Sequence, residues 1–215
     1  MRADHQLVAF RRMLVGILVL YAVIIGFGEN NAGGPIRVVV LSALVYNVSR
    51  LRSGEREQRL ALLLCALAIA VTSVTAAVAP PRPVNAVVGA SSALLTTATV
   101  GLIVAALRAD FLQGARVDVS TVLGVLCTYL LFALFFADVH QFFAAFSHDY
   151  LNGTSNPPTP SDLLYFSVIT LATVGFGDIT PASEVARAVT VVEALIGQLY
   201  LVSVVAGVVG GWRRA

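Results

Sequence analysis

Long apolar runs alternate with short polar segments along the chain, and this pattern predicts helices that cross a membrane. Windows of about 20 residues, the length needed to span a bilayer, identify six candidate spans: 13–27, 35–48, 60–79, 84–107, 119–137 and 185–209. The second is the shortest and has arginines near both ends, so these side chains would extend toward the headgroups. We therefore expect an all-α membrane protein with six transmembrane helices.

A polar segment at 147–160 separates the fifth span from a further short apolar helix. Thr159, Pro160 and Asp162 form a helix-start pattern, with a capping threonine, a proline at the first helical position and a carboxylate three residues after the cap. The predicted helix, 160–172, is too short to cross a bilayer. A chain that enters the membrane partway and returns as an extended loop must be surrounded by protein or water. The pattern therefore predicts a re-entrant helix and loop within an assembly.

The composition strengthens the membrane assignment. Hydrophobic residues make up 58% and charged residues 12% of the chain, with a mean hydropathy of +0.85, whereas soluble domains are about 45–50% apolar. All 14 basic residues are arginines, and all but Arg37, Arg82 and Arg187 would be cytoplasmic if both termini were inside. Because cytoplasmic loops hold the excess of arginine, we expect cytoplasmic N and C termini. The short spans and the use of arginine for every basic residue suggest a prokaryotic plasma membrane.

Enzymatic chemistry is not indicated. Cys65 and Cys127 both fall inside apolar runs, where cysteine behaves as a small hydrophobic residue and builds neither a disulfide framework nor a metal cluster. The sequence contains no catalytic constellation and no phosphate-binding loop. We expect no enzyme activity, no cofactor and no nucleic-acid partner.

The most specific motif follows the short helix, at 173–178. Glycines at Gly175 and Gly177 allow backbone conformations in which successive carbonyls turn toward one axis. Such oxygens can replace the water that a cation loses when it crosses a membrane. The pattern T-x-x-T-x-G-x-G at Thr170, Thr173, Gly175 and Gly177, followed by Asp178, resembles the selectivity filter of the potassium-channel family.

This resemblance implies a homotetramer, in which three further copies of the chain complete a central pore for K⁺. The implied ion-binding residues, which would hold K⁺ in the filter, are Thr173, Val174, Gly175, Phe176 and Gly177, with K⁺ at the first four of them. Asp178 would stand at the external mouth, and Thr170 would support the filter. Phe176 occupies a position where many relatives have tyrosine. Ile169 is apolar where some bacterial relatives hold a carboxylate, so Asp178 has no evident partner at that position.

The resemblance also divides the chain in two. Residues 1–116 would form a four-helix region, and residues 117–215 the pore domain, with a pore helix at 160–172, a filter at 173–178 and an inner helix at 183–211. The fourth span, 84–107, contains no arginine, and steep voltage gating uses several charges per subunit. Strong voltage dependence is therefore not expected, and membrane lipids are the expected surroundings of these helices.

Two residues of the inner helix invite explanation. Gly197 is either a bending hinge or a site of close helix packing, because glycine in a helix interior costs about 1 kcal/mol relative to alanine. Glu193 is either a structural brace behind the filter or a gating element, with Thr170, Ser167 or Tyr129 as hydrogen-bonding candidates. By resemblance, the residues lining the cavity are Gln198, Leu201 and Val205.

Three polar residues lie near the predicted external side, and their pattern does not indicate one specific role. Asp138, His140 and His148 are interpreted as solvated surface residues, with an external pH sensor formed by the histidines as the alternative.

Two other functions remain open at this stage. One is a weakly selective cation channel with a looser filter. The other is a transporter or membrane-scaffold subunit in which the pore-like half serves only for packing.

Overall fold

The computed structural model describes residues 2–27, 33–52, 55–78, 81–112 and 119–212. Over these residues the chain is helical apart from two short strands and the connections around them. The elements in chain order are α1 (Arg2–Phe27), α2 (Gly33–Arg52), α3 (Glu55–Val78), α4 (Pro81–Leu112), α5 (Val119–Ala144), β1 (Leu151–Asn152), α6 (Pro160–Leu171), β2 (Thr180–Pro181) and α7 (Glu184–Trp212). The predicted all-α class is therefore confirmed for the described part of the chain.

The helices form two groups that meet at α5. Helices α1 to α4 pack on their sequence neighbours, and α2 also packs on α4. Helix α5 contacts α1 and α4 as well as α6 and α7, and α1 also contacts α6. The predicted boundary between the two halves, at residue 116, lies outside the described residues.

Within the part of the chain that the structure describes, four helices have the length and apolar character to cross a membrane: Leu7–Gly26, Pro83–Ala105, Val119–Ala144 and Glu184–Val204. The second and third predicted spans contain shorter apolar stretches in the described part of the chain, Ile36–Tyr46 and Cys65–Val74.

Helix α5 continues beyond the predicted end of the fifth span. The apolar run ends at residue 137, but the helix extends to Ala144 and carries Asp138, His140 and Gln141 in its last turns. All three side chains are buried. The helix continues because neighbouring helices supply polar partners for these residues, which a hydropathy pattern does not reveal.

A two-stranded antiparallel sheet joins the polar connection before α6 to the segment after the filter. Leu151 pairs with Pro181, and Asn152 pairs with Thr180. The segment predicted to be an external turret is therefore attached to the chain just beyond the filter.

Candidate ion-conduction site

Helix α6 begins with the predicted cap. The Thr159 side chain accepts a hydrogen bond from the Asp162 amide at 3.1 Å, and the Asp162 carboxylate accepts one from the Thr159 amide at 3.0 Å. This reciprocal capping box, with Pro160 at the start, fixes the first residue of the helix. The helix ends at Leu171 and has 12 residues, about 18 Å, which is too short to cross a bilayer.

The backbone after α6 alternates in conformation. Thr173, Gly175 and Gly177 have φ values of 57°, 53° and 81°, whereas Val174 and Phe176 are not among the described residues with positive φ. Thr173 is the one described non-glycine residue with positive φ, a conformation that costs an L-residue about 1–2 kcal/mol. Such strain concentrates at functional sites.

Three amide groups at the start of this segment donate hydrogen bonds back to α6. The amides of Val174 and Gly175 donate to the carbonyl of Ile169 at 2.8 and 3.2 Å, and the amide of Thr173 donates to the carbonyl of Thr170 at 3.0 Å. Thr170 thus supports the segment through its backbone. Ile169, which sequence reasoning noted only for lacking a carboxylate, provides the main backbone anchor.

The segment has a large exposed surface in the single chain. Residues 173–178 are all exposed, including 53% of Val174 and 71% of Phe176. Non-helical backbone at membrane depth must be covered by protein or water.

Asp178 has a partner that the sequence analysis missed. The Tyr165 hydroxyl of α6 donates a hydrogen bond to the Asp178 carboxylate at 2.8 Å. This hydrogen bond holds the pKa of Asp178 below its ordinary value, because it stabilises the ionised form. Position 169 is apolar, and the partner of Asp178 comes instead from Tyr165, at a different position of the same helix.

Gly153 brings the polar connection between α5 and α6 into contact with Asp178. Its φ is 83°, and a Cβ at this position would overlap the Asp178 carbonyl oxygen. Only glycine fits this close approach, which places the β1 end of the connection directly on the residue that follows the filter.

Behind α6 lies a chain of hydrogen-bonded side chains that we call the filter-side network: His140, Tyr150, Ser167 and Glu193. His140 Nδ1 lies 2.8 Å from the Tyr150 hydroxyl, and His140 Nε2 lies 3.0 Å from Glu193 Oε2. The Ser167 hydroxyl contacts Glu193 Oε1 and lies 2.8 Å from the carbonyl oxygen of Ala133. The network links α5, α6 and α7.

All four residues are shielded from solvent, with 0–1% of each exposed. The interpretation of His140 as a solvated surface residue was wrong, because His140 lies on a helical turn that faces α7. Burial and the nearby Glu193 raise the pKa of Tyr150, so its hydroxyl stays protonated. Of the three partners proposed for Glu193, the structure selects Ser167. His148 is exposed, as expected.

On the opposite face of α5 lies a second polar group, the outer-face cluster: Arg37, Ser92, Asp138 and Gln141. Arg37 forms an ion pair with Asp138 and donates hydrogen bonds to Gln141 Oε1 at 2.8 Å and to Ser92 Oγ at 3.3 Å. At most 5% of any member is exposed. The predictions of a snorkelling Arg37 and a solvated Asp138 were therefore wrong, because each satisfies the charge of the other inside the protein.

Gly197 lies where α7 crosses the end of α6. A Cβ at this position would overlap the carbonyl oxygen of Leu171, and the Tyr129 hydroxyl donates to the same oxygen at 3.2 Å. Close packing therefore explains the glycine, while the hinge stays a prediction. Gln198 and Leu201 are exposed in the single chain. The side chain of Val205 lies outside the described residues.

A known family model matches part of the chain. Residues 124–210 match the model of a family described as "Ion channel". This range includes most of α5, all of α6, the segment 173–178 and most of α7, which together carry the geometry described above. Together with the apolar helices, the match supports an integral membrane protein.

A potassium-channel relative is then found over a shorter stretch. "Two pore potassium channel c" of Oryza sativa subsp. japonica is 34% identical over 73 residues, which is 34% of this chain. The match spans 16% of the length of that curated relative. No solved structure gives a significant match.

Proposed function

We propose that the chain is one subunit of a potassium channel in which four identical copies surround a central pore. Potassium ions would pass down their electrochemical gradient, held in turn by carbonyl oxygens of Thr173, Val174, Gly175 and Phe176, with Gly177 closing the filter. The observation that carries this proposal is the positive φ at every second filter residue, together with amides that donate back to α6. In this proposal the carbonyl oxygens of the same backbone replace an ion's hydration shell.

The need for several copies follows from the exposed surfaces. One filter segment supplies oxygens from one side of an ion, and cyclic symmetry is the usual way in which identical subunits close a ring. Phe176 and Val174 flank the filter backbone and would be covered by neighbouring copies. Helix α7 also exposes a row of large apolar side chains: Val185, Val191, Val192, Leu195, Leu199 and Val202.

The same arrangement assigns roles around the filter. Asp178 stands at the external mouth and raises the local cation concentration. Gln198, Leu201 and Val205 line the cavity, and Gly197 serves as packing point and hinge. In this proposal all six apolar segments cross a prokaryotic plasma membrane, both termini are cytoplasmic, and lipids surround the outer helices.

A weakly selective cation channel is the second candidate. Phe176 lacks the hydroxyl that could tie a filter aromatic to its surroundings, which favours a looser filter. The Tyr165–Asp178 hydrogen bond favours the opposite, because it ties the filter mouth to α6 in each copy. The potassium-selective form is therefore preferred.

Reconstitution of the purified chain in liposomes tests the proposal. We expect potassium efflux down a gradient, block by barium, and a tetrameric mass in native mass spectrometry. Gly177→Ala should abolish the efflux, because alanine disfavours the φ of 81° although its Cβ meets no atom within 4 Å. Gly101→Ala, at a helical glycine that also has open space around it, is the matched control and should conduct normally. Absence of efflux, or equal efflux in both variants, would contradict the proposal.

A further inference from the structure

The hydrogen bonds that the filter-side network can form depend on whether Glu193 carries a proton. If Glu193 is ionised, the Ser167 hydroxyl has two acceptors within reach, Glu193 Oε1 and the carbonyl oxygen of Ala133, and one hydrogen to give. If Glu193 is protonated at Oε1, it donates to Ser167, which then donates to Ala133. The second arrangement satisfies both observed contacts of Ser167.

The remaining bonds agree with the protonated arrangement. A proton on His140 Nε2 is donated to Glu193 Oε2, and His140 Nδ1 then accepts from the Tyr150 hydroxyl. Every polar hydrogen from Tyr150 to Ala133 is therefore used once. An ionised Glu193 would be a buried net charge, which is costly where it is not fully compensated.

We propose that one exchangeable proton, held by Glu193 and His140, controls the hydrogen bond by which Ser167 fastens the pore helix α6 to α5. With the proton bound, Ser167 donates to Ala133 and the filter is held in the conducting position. When the proton leaves, the Ser167 hydrogen turns to the Glu193 carboxylate and the fastening is lost. His140 and Tyr150 are positioning residues that act through Glu193. The inference rests on the proposed channel function.

Titratable groups face this proton site from two of the packed elements. Among the described residues, α5 contributes His140 and the segment before β1 contributes Tyr150. Helix α6 contributes Ser167 and the ring of Phe166, and neither of these two side chains titrates at ordinary pH. The Arg37–Asp138 pair lies on the other face of α5 and is already internally compensated.

The external side supplies the proton. Tyr150 precedes β1, and β1 pairs with the two residues of β2 directly after the filter mouth. The exposed Asp149 adjoins Tyr150 in the chain. Because Tyr150 lies in the connection that pairs with the segment after the filter, we expect the network to respond to external pH.

Liposome efflux as a function of external pH, from about pH 5 to 8, tests the inference. In the wild type we expect greater efflux at low pH and a single transition. Glu193→Gln reproduces the protonated hydrogen-bond pattern, so its efflux should stay at the wild-type low-pH level throughout. Ser167→Ala should be low and equally flat, because the fastening bond is gone at every pH.

Two conservative variants distinguish a role in positioning Glu193 from a general effect on folding. Tyr150→Phe removes one oxygen and should shift the pH midpoint without flattening the profile. His148→Gln, at the exposed histidine, is the matched control and should keep the wild-type profile. If Glu193→Gln fails to assemble, infrared difference spectra of the wild type still decide. They should show a protonated-carboxyl band at low pH that disappears at high pH, and Tyr150→Phe should move its midpoint.

The two proposals fail in different ways. A wild type without barium-sensitive efflux would contradict the channel function itself. Barium-sensitive efflux that is independent of pH, or that has the same pH profile in Glu193→Gln as in the wild type, would overturn only the inference. An infrared band that does not change with pH would overturn it as well.

Discussion

Helix α5 has two opposite polar faces, and their partners differ in kind. Asp138 and Gln141 bind Arg37 of α2, whereas His140, about 200° away from Asp138 on the helical wheel, binds Glu193 of α7. The outer-face cluster pairs two charged groups and joins α5 to α2 and α4. The filter-side network connects groups that share protons and reaches the helix that ends at the filter. In the proposed channel, one helix thus separates a structural attachment from a network that contacts the pore helix.

If this comparison is right, variants of the outer-face cluster should change stability and leave conduction alone. Asp138→Asn should lower the free energy of unfolding by about 3–5 kcal/mol, because it leaves the Arg37 charge buried without its counterion. Thermal unfolding of the purified protein in detergent measures the loss, and efflux per folded channel should be unchanged.

The control for this prediction is the double variant Arg37→Gln with Asp138→Asn. It removes both charges and should recover part of the lost stability, since no uncompensated charge remains. A double variant no more stable than Asp138→Asn would show that the ion pair is not the source of the effect.

A smaller effect, and one on conduction, is expected where α7 meets α6. Gly197→Ala should cost about 1–3 kcal/mol by overpacking, because its Cβ would overlap the Leu171 carbonyl oxygen at the end of α6. The displaced pore helix should also reduce potassium efflux. Gly207→Ala on the same helix meets no atom within 4 Å and is the control. Equal efflux in the two variants would contradict the close contact.

The smallest effect is expected at the exposed mouth. The Tyr165 hydrogen bond keeps the pKa of Asp178 below its ordinary value, so the bond persists above that ordinary value and is lost as pH falls through the lowered one. Tyr165→Phe should return the pKa of Asp178 upward. Protonation of Asp178 at low external pH should reduce the single-channel current, because the carboxylate no longer attracts cations. In Tyr165→Phe this reduction should begin at a higher external pH. Asp178→Asn should remove this pH-dependent decrease altogether. If the decrease in Tyr165→Phe occurs at the same pH as in the wild type, the Tyr165–Asp178 hydrogen bond does not control it.

The parts of the fold that depend on neighbouring residues were predictable from sequence. The start of α6 at Thr159 and Pro160 follows from local capping chemistry, and the glycine spacing after it anticipated the positive φ at Gly175 and Gly177. The apolar runs located the long helices, although the described helices extend past several predicted ends.

Contacts between distant segments were not predictable, because an apolar period does not tell which helix faces meet. His140 and Asp138 lay beyond a predicted span end and were assigned to solvent, while their partners lie 53 and 101 positions away in the chain. Tyr165 and Asp178 meet only because the backbone folds back after α6. The signal that could have revealed these contacts was the group of three polar residues at 138–141, directly after an apolar run.

The most direct test of the central claim is the reversal potential of single channels with potassium on one side of a bilayer and sodium on the other. If backbone carbonyls of the segment from Thr173 to Gly177 form the conducting site, current should reverse near the potassium equilibrium potential, and Gly177→Ala should abolish it. A reversal potential near zero, or a current that survives this substitution unchanged, would contradict the account.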